Sequence, residues 1–338
     1  MAASGAFVEQ TAYDLILGLR MGRVVSRALH VAAELGVADL LSEGPKDISE
    51  LAAATDSHPQ SLDRLLRMLA SDGIFAETAD RGFGLTPAAE LLRSGVLRDA
   101  VRMFSDADWN AAGALLHNVK TGEPAFKQVN GQGFFEYLGT HPESQTRFDR
   151  AMASAAEEEN LPIANAYDFS KYRRIVDVGG GRGGFLAAIL KTYPSPRGVL
   201  YDQPQVVEHP HYLTRAGVRD RCDVVGGAGL FESIPAGADL YVLKRVLHEW
   251  PDDICEGILR RCHDAAGKDG RVIVVDAVIP PGNHPDLTKA VDLLMMILLD
   301  GRERSEADFR ELFARAGLKL TRIVATPSRL SIVEGEPA

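Results

Sequence analysis

Apolar residues between positions 13 and 41 recur at helical spacing, and the run ALHVAAELGVADLL ends at the turn-forming SEGP of residues 42–45. Residues 47–92, DISELAAATDSHPQSLDRLLRMLASDGIFAETADRGFGLTPAAELL, predict two or three short helices and then two strand-like pieces around the DRG turn at 80–82. That is the order of a winged helix-turn-helix. Helical periodicity resumes from about residue 98 to 167, broken by the loop NGQGF at 130–134. Beyond it, strands and helices alternate: RIVDVG, helix GFLAAILKTY, RGVLYD, CDVVGG, ADLYVLK, helix DDICEGILRRCHDAA, RVIVVDAVI. Such alternation builds a parallel α/β sheet with helices on both faces. A helix EADFRELFARAGL follows, with Ser305 and Asp308 in a capping-box arrangement, and KLTRIVAT and LSIVEG then form a closing antiparallel hairpin. The expected domains are 1–97, 98–165 as a helical bridge, and 166–338.

With 46% hydrophobic and 25% charged residues in 338, the chain has the balance of a soluble globular protein. A formal net charge of −10 argues against nucleic-acid or anionic-membrane partners. The winged-helix segment repeats that sign, with five basic against eight acidic residues between 46 and 93. A DNA-reading helix needs the opposite balance, so dimerisation is the expected role. The apolar helices of 13–41 are hard to bury within one small unit and suggest a partner subunit. Cys222, Cys255 and Cys262 form no C-x-x-C pair, which points to the reduced cytoplasm rather than a disulfide or zinc framework. The longest apolar stretch, LLMMILL at 293–299, is too short to span a bilayer, and no export signal is indicated. The two histidines of EHPHY at 208–212 alternate around a proline in an expected solvated loop without a third ligand, so no metal is expected. The acidic run 157–159 reads as a solvated helix face.

Chemistry concentrates at the ends of the predicted strands. In VDVGGGRGGF, residues 176–185, Gly179, Gly181 and Gly184 satisfy the dinucleotide fingerprint G-x-G-x-x-G, but Asp177 beneath the turn suits a cationic or hydroxyl-rich ligand better than a pyrophosphate. Asp202 ends the second strand 18 residues after Gly184, placed for ribose hydroxyls. NAD and adenosylmethionine both carry that ribose, and the loop alone does not choose between them. His248 stands four residues after Lys244 at the end of the fourth strand, where an imidazole with an ordinary pKa of about 6.5 can take a proton near neutrality. Asp276 ends the fifth strand, and Glu303 precedes the next helix. Two acids can thus flank one imidazole, although Glu303 could equally pair with Arg302 or Arg304. Trp250 reads as a staple for the helix that follows.

In this order behind a winged helix, VDVGGGRGGF, LYDQPQVV, ADLYVLKRVLHEWPDD, RVIVVDAVIP and GRERSEADFRELFARAGL resemble the S-adenosylmethionine-dependent small-molecule O-methyltransferases. The likeness spans nearly the whole chain and takes in caffeic-acid-type enzymes, hydroxyindole O-methyltransferase and bacterial enzymes that tailor aromatic polyketide antibiotics. It implies a Rossmann-like class I methyltransferase sheet, preceded by an α-helical winged-helix dimerisation domain. It further implies that Asp177, Gly179 and Gly181 hold the amino-acid part of S-adenosyl-L-methionine, which leaves as S-adenosyl-L-homocysteine, while Asp202 holds the ribose and Lys244 borders the site. His248 is implied as general base, flanked by Asp276 and Glu303. Where the family commonly shows GDFF or GDMF, this chain has GAGLFESIP, so Gly229, Leu230 and Phe231 are left to meet the adenine.

The acceptor pocket is expected between the sheet and the bridge, with Trp109, Phe126, Phe134, Phe148 and Met152 from the bridge and Met295 and Met296 from the late helix; taken singly each reads as a core residue, but as a set they suit a flat aromatic small molecule. Thioethers there make adaptable contacts to rings. By the same resemblance the protein is an intertwined homodimer, in which Tyr13 and Met21 reach the other subunit's pocket. Other readings stay open: a non-methylating relative, an NAD-dependent oxidoreductase, or a ligand-sensing winged-helix regulator.

Overall fold

The computed structural model describes residues 12–227 and 229–338. They divide into two compact units: the chain up to Phe104 together with Thr146–Ser154, and Ser105–Gln145 together with Ala155–Ala338.

In the first unit the long helix Ala12–Glu34 leaves Tyr13, Ile16, Leu19, Met21 and Val24 exposed along its beginning, while Ala32 and Ala33 near its end are buried. The helix Ile48–Ala54 starts at Asp47, whose carboxylate accepts from the Ser49 and Glu50 amides as Glu50 reaches back to the Asp47 amide. Such a reciprocal cap satisfies amides that the first helical turn cannot. Pro59 opens the next helix, Pro59–Ser71, and Leu62, Leu66 and Leu69 recur on its buried face. Strands β1 (Lys46–Asp47), β2 (Phe75–Glu77) and β3 (Gly82–Leu85) form an antiparallel wing in the order β1-β3-β2. Gly82 is required there, since a Cβ would sit 2.6 Å from the Lys46 carbonyl oxygen. Two residues of β1 carry too little periodicity to be read from sequence.

The second unit is built on a seven-stranded sheet. Its strands are β4 (Arg174–Val178), β5 (Arg197–Asp202), β6 (Cys222–Gly226), β7 (Leu240–Lys244) and β8 (Arg271–Asp276), then β11 (Leu318–Ala325) and β12 (Ser331–Pro337). Between them, β9 (Val278–Ile279) and β10 (Arg304–Ser305) make a separate parallel pair. The sheet order is β11-β12-β8-β7-β4-β5-β6, with β12 antiparallel to both its neighbours. Continuous apolar runs explain the central position of β4, β7 and β8, because Ile175, Val242 and Ile273 are wholly buried in one apolar cluster and Val176, Leu243 and Val274 in another on the opposite face. The order reverses between β4 and β7. Ligands of open α/β sheets bind outside the carboxyl ends of the strands at such a switch point.

The expected hairpin and the Ser305 capping box are present, with the Asp308 carboxylate accepting from the Ser305 amide and hydroxyl. The EHPHY expectation needs correction: His211 and Tyr212 begin a short helix, His211–Arg215, and Tyr212 approaches Gly184. A proline just ahead favours that start by presetting the backbone. Among the described residues no His, Cys, Asp and Glu cluster suits a metal, and no helix is long and apolar enough to cross a membrane.

Candidate active site

At the carboxyl end of β4 the chain turns through Gly179, Gly181 and Gly183, with φ of 71°, 59° and 83°, into the helix Gly184–Thr192. L-residues rarely adopt that left-handed region. Gly180, which the fingerprint leaves out, is needed for another reason: a Cβ would stand 2.6 Å from Leu200 and 2.7 Å from the Asp177 carboxyl group. The Gly179 amide donates to the Tyr201 carbonyl at 2.9 Å, and the Gly181 amide to Asp202 Oδ2 at 2.9 Å. Asp202 Oδ1 accepts from the Gln203 amide at 2.7 Å. Asp202 is therefore fixed by backbone donors, and each oxygen keeps a lone pair for a ligand hydroxyl.

Asp177 lies beneath this turn, 2% exposed, and its Oδ2 has no hydrogen-bond partner among the described residues. Burial pushes its pKa up to about 7; Lys244 opposes the rise and Asp202 adds to it. Leaving a buried acceptor unsatisfied costs about 1–3 kcal/mol, more when charged. The site thus fits a ligand that brings a cationic donor. Lys244, at the end of β7, is nearly buried, and its Nζ lies 3.6 Å from Glu159. Burial and then Arg245 push Lys244 down to about 8, against the pull of Glu159 and Asp177. Glu159 also accepts from Arg245 Nε and Nη2 at 3.2 and 2.6 Å.

The acidic run at 157–159 is consequently not one solvated face. Glu157 pairs with Arg215 at the surface, but Glu159 is enclosed by two cations because its helix, Pro142–Asn165, packs that side against the ends of the strands. Asn160 beside it lies 3.0 Å from where a Gly184 Cβ would be. Glu159 escaped the sequence pattern, since its two neighbouring acids hide it. After β6, Leu230 packs toward Gly179, whereas Phe231 is 43% exposed and meets Trp250 edge-on at 5.0 Å. Gly229 accepts the Tyr201 hydroxyl on its carbonyl.

A tight turn, Leu247–Glu249, places His248 beyond β7. His248 Nδ1 is 2.9 Å from Glu303 Oε1, with side chains 12% and 2% exposed. A carboxylate accepts only, so Nδ1 carries the proton and Nε2 is left with its lone pair. Glu303 is thus the partner of the imidazole, while Arg302 pairs with Asp308 and Arg304 with Asp252. Asp276, at the end of β8, is 1% exposed, and neither oxygen has a hydrogen-bond partner among the described residues. Burial pushes it up to about 6, with His248 opposing and Glu303 reinforcing. For His248 itself burial lowers the pKa, but the Glu303 hydrogen bond and the charges of Asp276 and Glu249 outweigh it and hold it above the ordinary value. Glu249, overlooked in the sequence although it adjoins His248, is pushed up to about 7 by burial, against the pull of His248.

Of the aromatic and thioether residues, Phe134 lines a cavity of about 320 Å³ with Phe135, Glu249, Trp250 and Leu298. Phe126 is wholly buried, edge-on to Phe134 and Tyr137 at 5.3 Å, and packs the helical layer. Met295 and Met296 lie half-buried on the helix Leu287–Leu298, which packs against the helix Asp106–Gly113 bearing the half-buried Trp109. The Asn118 side chain donates to the Met296 carbonyl at 2.8 Å and holds that helix in place. Phe148 and Met152 fall in the segment Thr146–Ser154, assigned to the first unit.

Residues 112–319 match the O-methyltransferase domain family and residues 17–95 its O-methyltransferase dimerisation domain. The chain is 42% identical to a phenazine O-methyltransferase of Lysobacter antibioticus, covering 96% of each. It is 35% identical, over 96% of each chain, to an 8-amino-8-demethylriboflavin N,N-dimethyltransferase of Streptomyces davaonensis. Among solved structures it resembles an O-methyltransferase of neocarzinostatin biosynthesis in complex with S-adenosylmethionine and 2-hydroxy-5-methyl naphthoic acid. That likeness has a TM-score of 0.80 at 37% identity and covers 93% of this chain and 96% of that one.

Proposed function

The chain belongs to the S-adenosylmethionine-dependent O-methyltransferases that carry an N-terminal dimerisation domain, and we propose that it methylates a phenolic hydroxyl of a polycyclic aromatic natural product, with His248 as general base. When bound, the cofactor supplies an electrophilic methyl group on a sulfonium. Asp177 and the turn Gly179–Gly180–Gly181 suit its methionine end, Asp202 its ribose, and Lys244 borders it. Gly229, Leu230 and Phe231 are left for the adenine, with Leu230 on the glycine-turn side.

The observation that supports the base assignment is the Glu303–His248 hydrogen bond, which in the neutral ring leaves the lone pair on Nε2, at the same edge of the sheet as the glycine turn. A phenol has a pKa near 10 and is mostly protonated at neutral pH. His248 takes that proton at Nε2, and the imidazolium so formed is stabilised by Glu303 and by the buried charge of Asp276. Phe134, Trp109, Met295 and Met296 are the residues we assign to the acceptor pocket. The exposed apolar side chains of Ala12–Glu34 support assembly as a homodimer, and three buried free thiols suit the cytoplasm. The acidic wing argues against a nucleic-acid partner.

Incubation with the cofactor and a panel of polycyclic phenols, read by mass spectrometry, tests the reading. A product in which a methyl group replaces the hydroxyl proton, heavier by one CH2, is expected, and His248→Ala should lower turnover by about a hundredfold or more while cofactor affinity holds. A phenol methylated by His248→Ala at near the wild-type rate would overturn the base assignment.

A further inference from the structure

Arg304 follows Glu303 directly and is 1% exposed. Its guanidinium donates to the Leu247 carbonyl from Nη1 at 2.8 Å and to the Trp250 carbonyl from Nη2 at 3.1 Å. Nε and Nη2 donate to Asp252 Oδ1 at 3.0 and 2.7 Å. Leu247 and Trp250 bracket His248, so one side chain ties both ends of the histidine turn to the residue after Glu303. The same residue pairs with Val278 in the β9–β10 ladder, two positions beyond Asp276. The turn, the orienting acid and the buried acid therefore converge on Arg304.

Gly301 provides an independent sign of the same closeness. A Cβ there would stand 2.1 Å from the His248 carbonyl oxygen and 2.6 Å from the Glu249 carbonyl carbon. Its φ lies outside the left-handed region, so close approach rather than conformation demands glycine. The geometry points to Arg304, seated by Gly301, as the positioning residue that sets the His248–Glu303 hydrogen bond, an inference that rests on His248 acting as the base. A planar fork reaches two carbonyls and a carboxylate at once, which the point charge of lysine does not. Glu303 on the approach to β10, Asp276 on β8 and Glu249 on the turn itself are the acids that act on His248.

The test uses the full chain with Arg304→Lys and, as a second route should that variant fold poorly, Gly301→Ala. The His248 ring is titrated by NMR, its signal identified by its loss in His248→Gln. In either folded variant the His248 pKa should move down toward the ordinary 6.5 or so. The acidic limb of kcat should follow it, with kcat falling about tenfold and cofactor Kd changing less than about threefold. An unmoved His248 titration in a folded variant, or a loss of cofactor affinity matching the loss of kcat, overturns the inference. Full turnover by His248→Gln would instead defeat the base assignment, while the titration still decides what Arg304 does to the ring.

Discussion

Replacing Asp177 with asparagine should make the cofactor-free protein more stable and the enzyme worse. The buried carboxylate titrates near 7 instead of near the 3.8 of an unperturbed aspartate. For an acid whose folded pKa is raised, stability is undisturbed below the unfolded pKa and is lost progressively as pH rises through the folded one. Three tenfold steps at about 1.4 kcal/mol each set a ceiling of about 4 kcal/mol on the penalty above pH 7. Part of it returns in the variant, because Lys244 loses a favourable neighbour; a net gain of about 2 kcal/mol at pH 8 and almost none at pH 4 is expected. Thermal unfolding of both proteins across that range reads the difference as a Tm gain that grows with pH, to several degrees at pH 8. Calorimetry should show S-adenosylhomocysteine binding at least tenfold weaker in the variant. A Tm gap that is flat with pH, or an unchanged Kd, would refute the account of Asp177 as a buried acid whose Oδ2 is kept open for the cofactor.

The raised pKa of His248 predicts that the acidic limb of kcat lies above 6.5, because only the neutral imidazole accepts a proton. Glu303→Gln keeps the side chain's shape but removes its charge, so a pH–rate profile should show that limb at lower pH and kcat reduced about tenfold or more. Gly180→Ala forces a Cβ against Leu200 and the Asp177 carboxyl group. Overpacking of that kind costs about 1–3 kcal/mol, to be read as a lower Tm together with weaker cofactor binding.

Features set by neighbouring residues were legible in the sequence. The glycine turn, the acids ending β5 and β8, the Ser305 cap and the closing hairpin all announce themselves within a few positions of chain. Features made by approach between distant segments were not. Glu159 resembles its exposed neighbours until the end of β7 is brought beside it, Gly180 looks redundant until Asp177 turns under it, and Gly301 and Arg304 read as loop chemistry until the histidine turn arrives. Two-residue strands such as β9 and β10 have too few positions for alternation to register at all.

The register of β12 has a bearing on how the enzyme comes into being. Ser331 pairs with Asp276, and β12 separates β8 from β11. On the ribosome, the strand that ends at Asp276 therefore waits with an open edge until some sixty further residues have been made. A nascent chain has the glycine turn and the histidine early but no finished sheet to hold them. Until β12 is made and paired, the edge of β8 is an unpaired strand open to aggregation, so the seating of β12 both completes the sheet beneath the glycine turn and removes that hazard.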